Sequence, residues 1–461
     1  MQHTLRETVR VEPPSLRELV DAIARGVRAD AGHCYFVGGC VRDAALGRVA
    51  SEVDLEVHGV DSDRLAALLE ALHPCDRVGR AFQVFRFRGL PVDVSVPRRE
   101  PAESRAATAG DARAGIEHAA ARRDFTINSM AVDVQSGEWL DPFGGREDLR
   151  AGLLRHTSPR FVDDPLRVLR GMQLAGRFSL RAVPETLAIC SQLSSEGLPL
   201  DRIFGEWQRL LVDAESPSMG LAFLQAAGWL RDHPELEALR GCPQDPRWHP
   251  EGDVWTHTLA CLDAHARARS GDPTEDLVTG LAVLCHDFGK PATTRRDGER
   301  LSAHGHAERG VELTGQWLKR ISARRDLAQQ VVPLVRWHLS PAQLFRDGAG
   351  DAAIRRLAHR VGRLDRLLVV AKADHQGRGE AGERPFEAGD WLRERASDLD
   401  VLHAAAPRLV RGDDLLALGA TPGPALGRLL EECYQAQLDG LFANRADGLA
   451  HARRRIRETL G

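Results

Sequence analysis

Two sets of residues have the types and spacing to do chemistry. The first is Tyr35-Phe-Val-Gly38-Gly39-Cys-Val-Arg42-Asp43-Ala-Ala-Leu-Gly47, followed by Asp54-Leu-Glu56. The apolar run 34–37 has the make-up of a buried strand. Gly38 and Gly39 let the backbone turn tightly and approach a ligand closely. Residues 40–47 then read as a short helix closed by Gly47. Free amides at such a helix start suit an anion such as a triphosphate. Asp54 and Glu56 lie two apart in an alternating stretch, so a strand would put both carboxylates on one face. Two carboxylates facing a phosphate site suit a pair of Mg²⁺ ions. A Gly-Gly turn alone is common, and a D-x-E on a strand is usually a solvated face. Their order, strand, turn, helix and acids, carries the weight. The second set is His257, His286-Asp287, His304-Gly-His306, His338 and Asp374. Imidazoles and carboxylates dispersed over helical segments suit a divalent transition metal better than Ca²⁺. One buried histidine is usually a satisfied core residue; this many at such spacing is hard to explain so.

Different elements must position the two sets. Residues 31–155 alternate strand-like and helix-like pieces. Strands are expected near 83–88 and 91–96, the second carrying Asp93. That acid is a candidate third carboxylate beside Asp54 and Glu56, or else an edge-strand acid paired with Arg98 or Arg99. From Pro159 onward strand signals fade and helical spacing dominates. Turn-rich 241–246 and 377–384 are candidate boundaries. A chain of 461 residues should hold two to four domains. Its 43% hydrophobic and 28% charged content is that of a soluble globular protein. The eight cysteines include no CxxC pair, so neither a zinc ribbon nor a disulfide framework is expected. Cytosolic thiols, and so a cytoplasmic protein, are the simplest reading. No signal peptide and no apolar run of membrane-spanning length is found. A net charge of −4 argues against indiscriminate nucleic-acid binding. Arginine clusters at 98–99, 122–123, 324–325 and 453–455 could still form a phosphate-binding stripe, or simply reflect a GC-rich coding sequence. Oligomeric state is left open.

Two further strings admit a chemical and a plain reading. In Arg122-Arg123-Asp124-Phe-Thr-Ile-Asn128, adjacent guanidiniums suit phosphate contacts. The neighbouring Asp124 could accept from a ribose hydroxyl. The plain reading is a helix start with surface charge. In Asp163-Asp164-Pro165-Leu-Arg167-Val-Leu-Arg170, Asp164 and Arg167 can share a helix face. Cytosine and adenine present an amino donor beside a ring-nitrogen acceptor; uracil and guanine present the reverse. A carboxylate beside a guanidinium therefore complements C and A and opposes U and G. The plain reading makes Asp164 an ordinary helix cap.

The Gly38-Gly39, Arg42-Asp43 and Asp54/Glu56 string resembles the class II tRNA nucleotidyltransferases, the CCA-adding enzymes, and their relatives the bacterial poly(A) polymerases. Residues 122–128 match the RRDFTIN motif of that class almost letter for letter. Asp141-Pro-Phe-Gly144-Gly145-Arg-Glu-Asp148 matches the next motif, a structural turn. Asp163 to Arg167 matches the E-D-x-x-R motif that reads the incoming base, with Asp in place of Glu. Arg202-Ile-Phe-Gly-Glu206 matches the motif that supports the base-reading helix. The second set is similar to the HD phosphohydrolase superfamily. On that resemblance His257, His286, Asp287 and Asp374 are the metal ligands, and His306 and His338 extend the site. Head and HD module together resemble the multifunctional CCA-adding enzymes, as does the tail from Arg411 to Gly427.

The resemblance implies an α+β chain with a polymerase-beta-type nucleotidyltransferase head, a small mixed sheet with helices, then an all-α neck, HD domain and helical tail. The expected divisions are an N-terminal extension at 1–30, the head at 31–155, and the neck at 156–245. The HD domain follows at 246–380 and a tRNA-binding tail at 381–461. It implies catalytic Asp54 and Glu56 with Mg²⁺, Asp93 in support, and a nucleotide site of Gly38, Gly39, Arg42, Arg122, Arg123, Asp124, Asn128, Asp164, Arg167, Arg170 and Arg202. The partners would be tRNA, CTP and ATP. The HD site would hold Mn²⁺, Co²⁺ or Ni²⁺ and hydrolyse phosphoesters. One departure stands out. The segment 101–121, a flexible loop with aromatic residues in CCA-adding relatives, contains none here, so addition of the last A is expected to be slow or absent. The alternatives are a CC-only adder, a poly(A) polymerase, and, in another class, an RNA-binding protein with an inactive head.

Overall fold

The computed structural model describes residues 9–78, 84–97, 112–298, 300–379, 382 and 384–460. It divides into two compact units, one of residues 1–198 with 222–229 and one of 199–221 with 230–461. The stretch 156–245, expected as a single neck, is therefore shared between them.

The first unit is built on a seven-stranded mixed sheet. Its strands are β1 (His33–Val37), β2 (Val53–His58), β3 (Cys75–Val78), β4 (Val84–Phe87), β5 (Val92–Ser95), β6 (Ala131–Asp133) and β7 (Trp139–Leu140). Their order is β3-β4-β5-β2-β1-β6-β7. β2 and β5 run parallel, and the other neighbours are antiparallel. Alternation along β2 sorts its side chains. Val53, Leu55 and Val57 enter a core with Phe36, Phe85, Phe87, Val92 and Val94. The helices Pro14–Ala29 and Ser62–Leu72 close that core with Val20, Ile23, Val27, Leu65 and Leu69. The period of two then leaves Asp54, Glu56 and His58 on the opposite face.

A helix at Ala112–Ala120 lies over that opposite face, where Ile116 clusters with Tyr35, Val37 and Ala131. The expected flexible loop 101–121 is thus corrected in its second half; residues 101–111 lie outside the described residues. Beyond Pro159 strand is not wholly absent. Leu153–Leu154 pairs with Arg181–Ala182, and Arg295–Asp297 with Arg300–Ser302. Pairs of two or three residues are too short to show a period.

The second unit is helical. The helix Pro273–Cys285 is buried nearly all round, packed on Val254–Arg267, Arg325–Trp337, Leu364–Gln376 and Leu200–Asp213. Asp253 and Asp272 cap two of these helices, accepting from Thr256 N at 2.9 Å and Thr274 N at 2.8 Å. Trp207 and Trp317 meet edge to face at 5.2 Å in the core. A small separate core of Val410, Leu415, Cys433, Phe442 and Ala452 holds the tail. Among the described residues no helix is long and apolar enough to cross a membrane.

Candidate functional site

β1 ends at Val37, and Gly38 turns into the helix Gly39–Ala45 with φ +69°. A Cβ at Gly38 would stand 3.3 Å from Asp54 Oδ2. Glycine therefore brings this turn against the carboxylate without strain. Val37 faces Asp54 across β1–β2, and Asp54 is level with Asp93 across the parallel β2–β5 pair. Burial, then the charges of Asp93 and Glu52, push Asp54 up to about 6. Arg123 and Arg170 offset this only in part, and a divalent cation would relieve the remaining repulsion. Asp93 is gripped by Arg86 across β4–β5 through bonds of 3.0 and 2.8 Å. Arg98 and Arg99, considered as its partners, lie outside the described residues.

Glu56 shares the face with Asp54 but not its surroundings. Its Oε1 pairs with His58 Nε2 at 2.9 Å, and its Oε2 accepts from Arg123 Nη2 at 2.9 Å. Burial raises Glu56, but His58 and Arg123 outweigh it and hold the carboxyl below its usual range. A cation at Asp54 would compete with these partners for Glu56. Arg123 also donates to Met130 O at 3.3 Å.

Arg42, Asn128, Asp124 and Arg170 form one chain. Arg42 Nη1 donates to Asn128 Oδ1 at 2.7 Å, and Asn128 Nδ2 to Asp124 Oδ1 at 3.1 Å. Arg170 Nε donates to Asp124 Oδ2 at 2.6 Å. Arg42 also pairs with Asp43 at 2.8 Å and lies 4.3 Å over the Phe178 ring. A ribose hydroxyl would thus share Asp124 with Arg170. Asp164 Oδ1 accepts from Leu166 N at 3.1 Å, as the cap reading expects. Arg167 Nη1 donates to Arg160 O at 2.6 Å, and its Nη2 donates to Arg122 O. Arg202 is exposed near the start of Leu200–Asp213 in the second unit. The Asp141 turn is tied by Gly145 N and Arg146 N, which donate to Asp141 at 2.7 and 2.9 Å.

In the second unit five elements converge. His257 comes from Val254–Arg267, His286 and Asp287 from the end of Pro273–Cys285, and His306 from the start of His306–Ile321. His338 follows Arg325–Trp337, and Asp374 lies on Leu364–Gln376. All six are buried. His286, His306 and His338 each pair Nδ1 with a carbonyl three residues back, at 2.7, 2.8 and 2.7 Å. His257 Nδ1 meets Glu251 Oε1 at 2.7 Å. A carbonyl can only accept, so the first three rings carry a proton on Nδ1. His257 lies between two carboxylates; burial lowers it, but Cys261, Asp374 and Glu251 outweigh burial and raise it well above its usual range. The Nε2 atoms of all four rings face inward. His257 Nε2 is 3.1 Å from Asp374 Oδ1, and His286 Nε2 is 3.1 Å from Asp287 Oδ2. His306 Nε2 is 3.5 Å from Asp287 Oδ1 and 3.4 Å from His338 Nε2.

The donors fit a cation. Asp287 Oδ1 is buried without a hydrogen-bond partner, and His286 Nε2 is buried with only the Asp287 carboxylate beside it. Burial raises Asp287, yet the charges of His286 and Lys290 hold it well below the usual carboxylate range. Burial, with the charges of His286 and His306, pushes His338 down to about 3, so it is neutral near pH 7. Lys290 Nζ stands 2.7 Å from Asp287 Oδ2, and Arg378 Nη2 contacts Asp374 at 3.0 and 3.2 Å.

Residues 34–155 match the model of the poly A polymerase head domain, and residues 254–375 that of the HD domain. The multifunctional CCA protein of Nitrosococcus oceani is 34% identical over 372 residues, 78% of this chain and 88% of that protein. The chain belongs to the multifunctional CCA protein family. Solved structures agree on the fold. The CCA-adding enzyme of Bacillus stearothermophilus in complex with CTP matches with a TM-score of 0.65 and 21% identity, covering 98% of this chain and 100% of that one. The Thermotoga maritima CCA-adding enzyme complexed with tRNA_CCA matches at 0.57 and 18%, covering 97% of each.

Within this member of the multifunctional CCA protein family, several residues at the two sites escape a motif reading. His58, two beyond Glu56, follows the same strand parity and could have been found by it. Arg86 pairs with Asp93 only because β4 returns beside β5. Lys290 stands three after Asp287, and Cys261 one turn after His257. His249 and Glu251 lie in a loop that folds back on His257, with His249 Nδ1 2.8 Å from Glu251 Oε1. Nothing periodic marks that loop.

Proposed function

We propose that this chain adds C and A nucleotides to the 3′ end of tRNA without a nucleic-acid template, using CTP and ATP and releasing pyrophosphate. The observation that carries this is Asp54, level with Asp93 and set against the Gly38 turn, in a chain of the CCA family. Mg²⁺ held by Asp54 and Glu56, with Asp93 beside them, would neutralise the triphosphate and favour the ionised primer hydroxyl. The primer 3′ oxygen bonds to the α-phosphorus as the bond to pyrophosphate breaks. Arg123, exchanging Glu56 for a phosphate, balances charge there. Asp164 accepts from the base amino group and Arg167 donates to the ring nitrogen. Asp124, Asn128 and Arg42 brace Arg170, and with it the base-reading helix Leu166–Phe178. Action on tRNA makes the cytoplasm its compartment, in keeping with eight unpaired cysteines.

The HD cluster is a second site for phosphoester hydrolysis. A divalent ion there would supply Lewis-acid activation of water and of a phosphoryl oxygen. His257, His286, Asp287 and Asp374 would hold it, with His306 and His338 extending the site. The nitrogen and oxygen donors suit Mn²⁺, Co²⁺ or Ni²⁺ over Mg²⁺. Lys290 and Arg378 offer positive charge to a phosphate. Phosphate monoesters and 2′,3′-cyclic phosphates are the fitting substrates, since either would block an RNA 3′ end.

A CC-only adder is the second reading, favoured by the lack of aromatic residues across 101–121. Incubation with tRNA lacking its terminal nucleotides, Mg²⁺ and each NTP, followed by sequencing of the 3′ ends, separates these. Growth by CCA supports the first reading and arrest at CC the second. Runs of A would assign a poly(A) polymerase, and no growth would remove the assignment.

A further inference from the structure

Cys261 belongs to the HD cluster in space but has no counterpart in the H…HD…D spacing. It lies one turn after His257 on Val254–Arg267 and is fully buried. Its Sγ is 3.3 Å from His257 Nε2 and 3.8 Å from Nδ1. The sulfur, a ring nitrogen from each of His257 and His286, and a carboxylate oxygen of Asp374 all lie within 4.8 Å of one another.

A buried cysteine most often acts as a small hydrophobe. Three observations set this one apart. Glu251 engages His257 Nδ1, so the nitrogen nearest the sulfur, Nε2, is the one turned into the cluster beside Asp374. The centre of the cluster also holds an unsatisfied acceptor: Asp287 Oδ1 is buried without a hydrogen-bond partner, while Oδ2 is met by Lys290 at 2.7 Å and His286 at 3.1 Å. Buried acceptors left that way are costly unless something fills the centre. Finally, the backbone makes room for the sulfur: a Cβ on Gly377 would stand 2.3 Å from Cys261 Sγ. Glycine at 377 is thus what admits a side chain of this size at 261.

We propose that Cys261 is a thiolate ligand of the ion in the HD cluster, beside His257, His286 and Asp374. The proposal rests on the reading that this cluster holds a divalent ion. Bonds of about 2.3 Å to sulfur and ~2.1 Å to nitrogen put two donors of one tetrahedral ion roughly 3.6 Å apart. The 3.3 Å between Sγ and Nε2 needs little adjustment to meet this. Loading forms the metal–sulfur bond and passes the thiol proton to solvent. Adding sulfur to the nitrogen and oxygen donors narrows the choice to a more thiophilic ion, zinc or cobalt, and disfavours the Mn²⁺ that nitrogen and oxygen alone would accept.

The test uses the full chain, stripped of metal and loaded with one equivalent of Co²⁺. The parent should show a thiolate-to-cobalt charge-transfer band in the near ultraviolet. Cys261→Ser should lose that band while keeping bound cobalt, and its preference for Zn²⁺ over Mn²⁺ should fall ~10-fold or more. Bound cobalt in the parent without the band would overturn the proposal, as would a band that persists in Cys261→Ser. If the serine variant does not fold, X-ray absorption of the zinc-loaded parent decides: one sulfur neighbour supports the proposal and none overturns it. Cobalt binding that His286→Ala and Asp374→Ala each leave unchanged would mean the HD cluster is not the metal site. Both readings then fall, whereas a sulfur-free ion in the cluster removes only this one.

Discussion

Asp54 on β2 and Asp93 on β5 occupy level positions on the parallel strand pair of the sheet, and the like charge of Asp93 raises Asp54. Burial, then the Asp93 charge, pushes Asp54 up to about 6. Replacing Asp93 by Asn removes one of the two neighbouring charges, so the Asp54 carboxyl should titrate lower. Carbon-13 NMR of the labelled carboxyl reads this directly. The same variant should slow nucleotide addition ~10-fold or more, since a supporting charge beside the cation is gone. An unchanged Asp54 titration would mean the two acids do not share a site.

Asp164→Ala and Arg167→Ala should relax the choice among NTPs more than they slow the chemistry. A wrong base is rejected by mispaired donors and acceptors only while both partners stand. Misincorporation of UMP and GMP, scored by sequencing product ends, should rise at least ~10-fold in each variant. If both still exclude UTP and GTP as the parent does, Asp164 is only the cap that its bond to Leu166 N describes.

Removal of the HD acid should separate the two activities. Asp287→Ala is expected to abolish hydrolysis of 2′,3′-cyclic phosphates and phosphate monoesters and to leave nucleotide addition within about 2-fold of the parent. Metal bound at the cluster with no hydrolysis across a broad phosphoester panel would instead make this module a scaffold.

Acid should destabilise the second unit through two histidines outside both sites. Burial pushes His233 and His265 down from 6.5 to about 4. Trp317 Nε1 donates to His233 at 3.3 Å, and His265 Nε2 lies 2.8 Å from Thr279 Oγ1. The folded value lies below the unfolded one, so between them the unfolded chain binds more protons. Their contribution is complete above about pH 6.5 and is lost as pH falls toward 4, by up to about 3 kcal/mol each. His265→Gln should flatten this limb in denaturant unfolding measured at several pH values. An identical slope in the variant would exclude His265 as a source.

The elements that carry the head acids were legible because strands alternate. The runs 34–37, 53–57 and 91–96 correspond to His33–Val37, Val53–His58 and Val92–Ser95. Helix Ala112–Ala120 was not legible, because an alanine-rich stretch with Ile116 as its large apolar anchor shows no period. The six histidines and acids of the HD set could be read from spacing, and the structure gathers them. Glu251 and Cys261 could not be weighted in the same way. One depends on a loop folding back, and the other on Gly377 lying against it from a different helix end. Such contacts join residues far apart in sequence and leave no local pattern.

Incorporation of labelled CMP and AMP into tRNA lacking its 3′ end, compared between the parent and Asp54→Asn with tRNA binding followed alongside, tests the central claim most directly. The parent should extend the tRNA in Mg²⁺. The variant should lose at least ~1,000-fold in rate while tRNA affinity stays within about 2-fold, because the cation ligand is gone and the RNA contacts are not. Near-parental addition by Asp54→Asn would contradict the account.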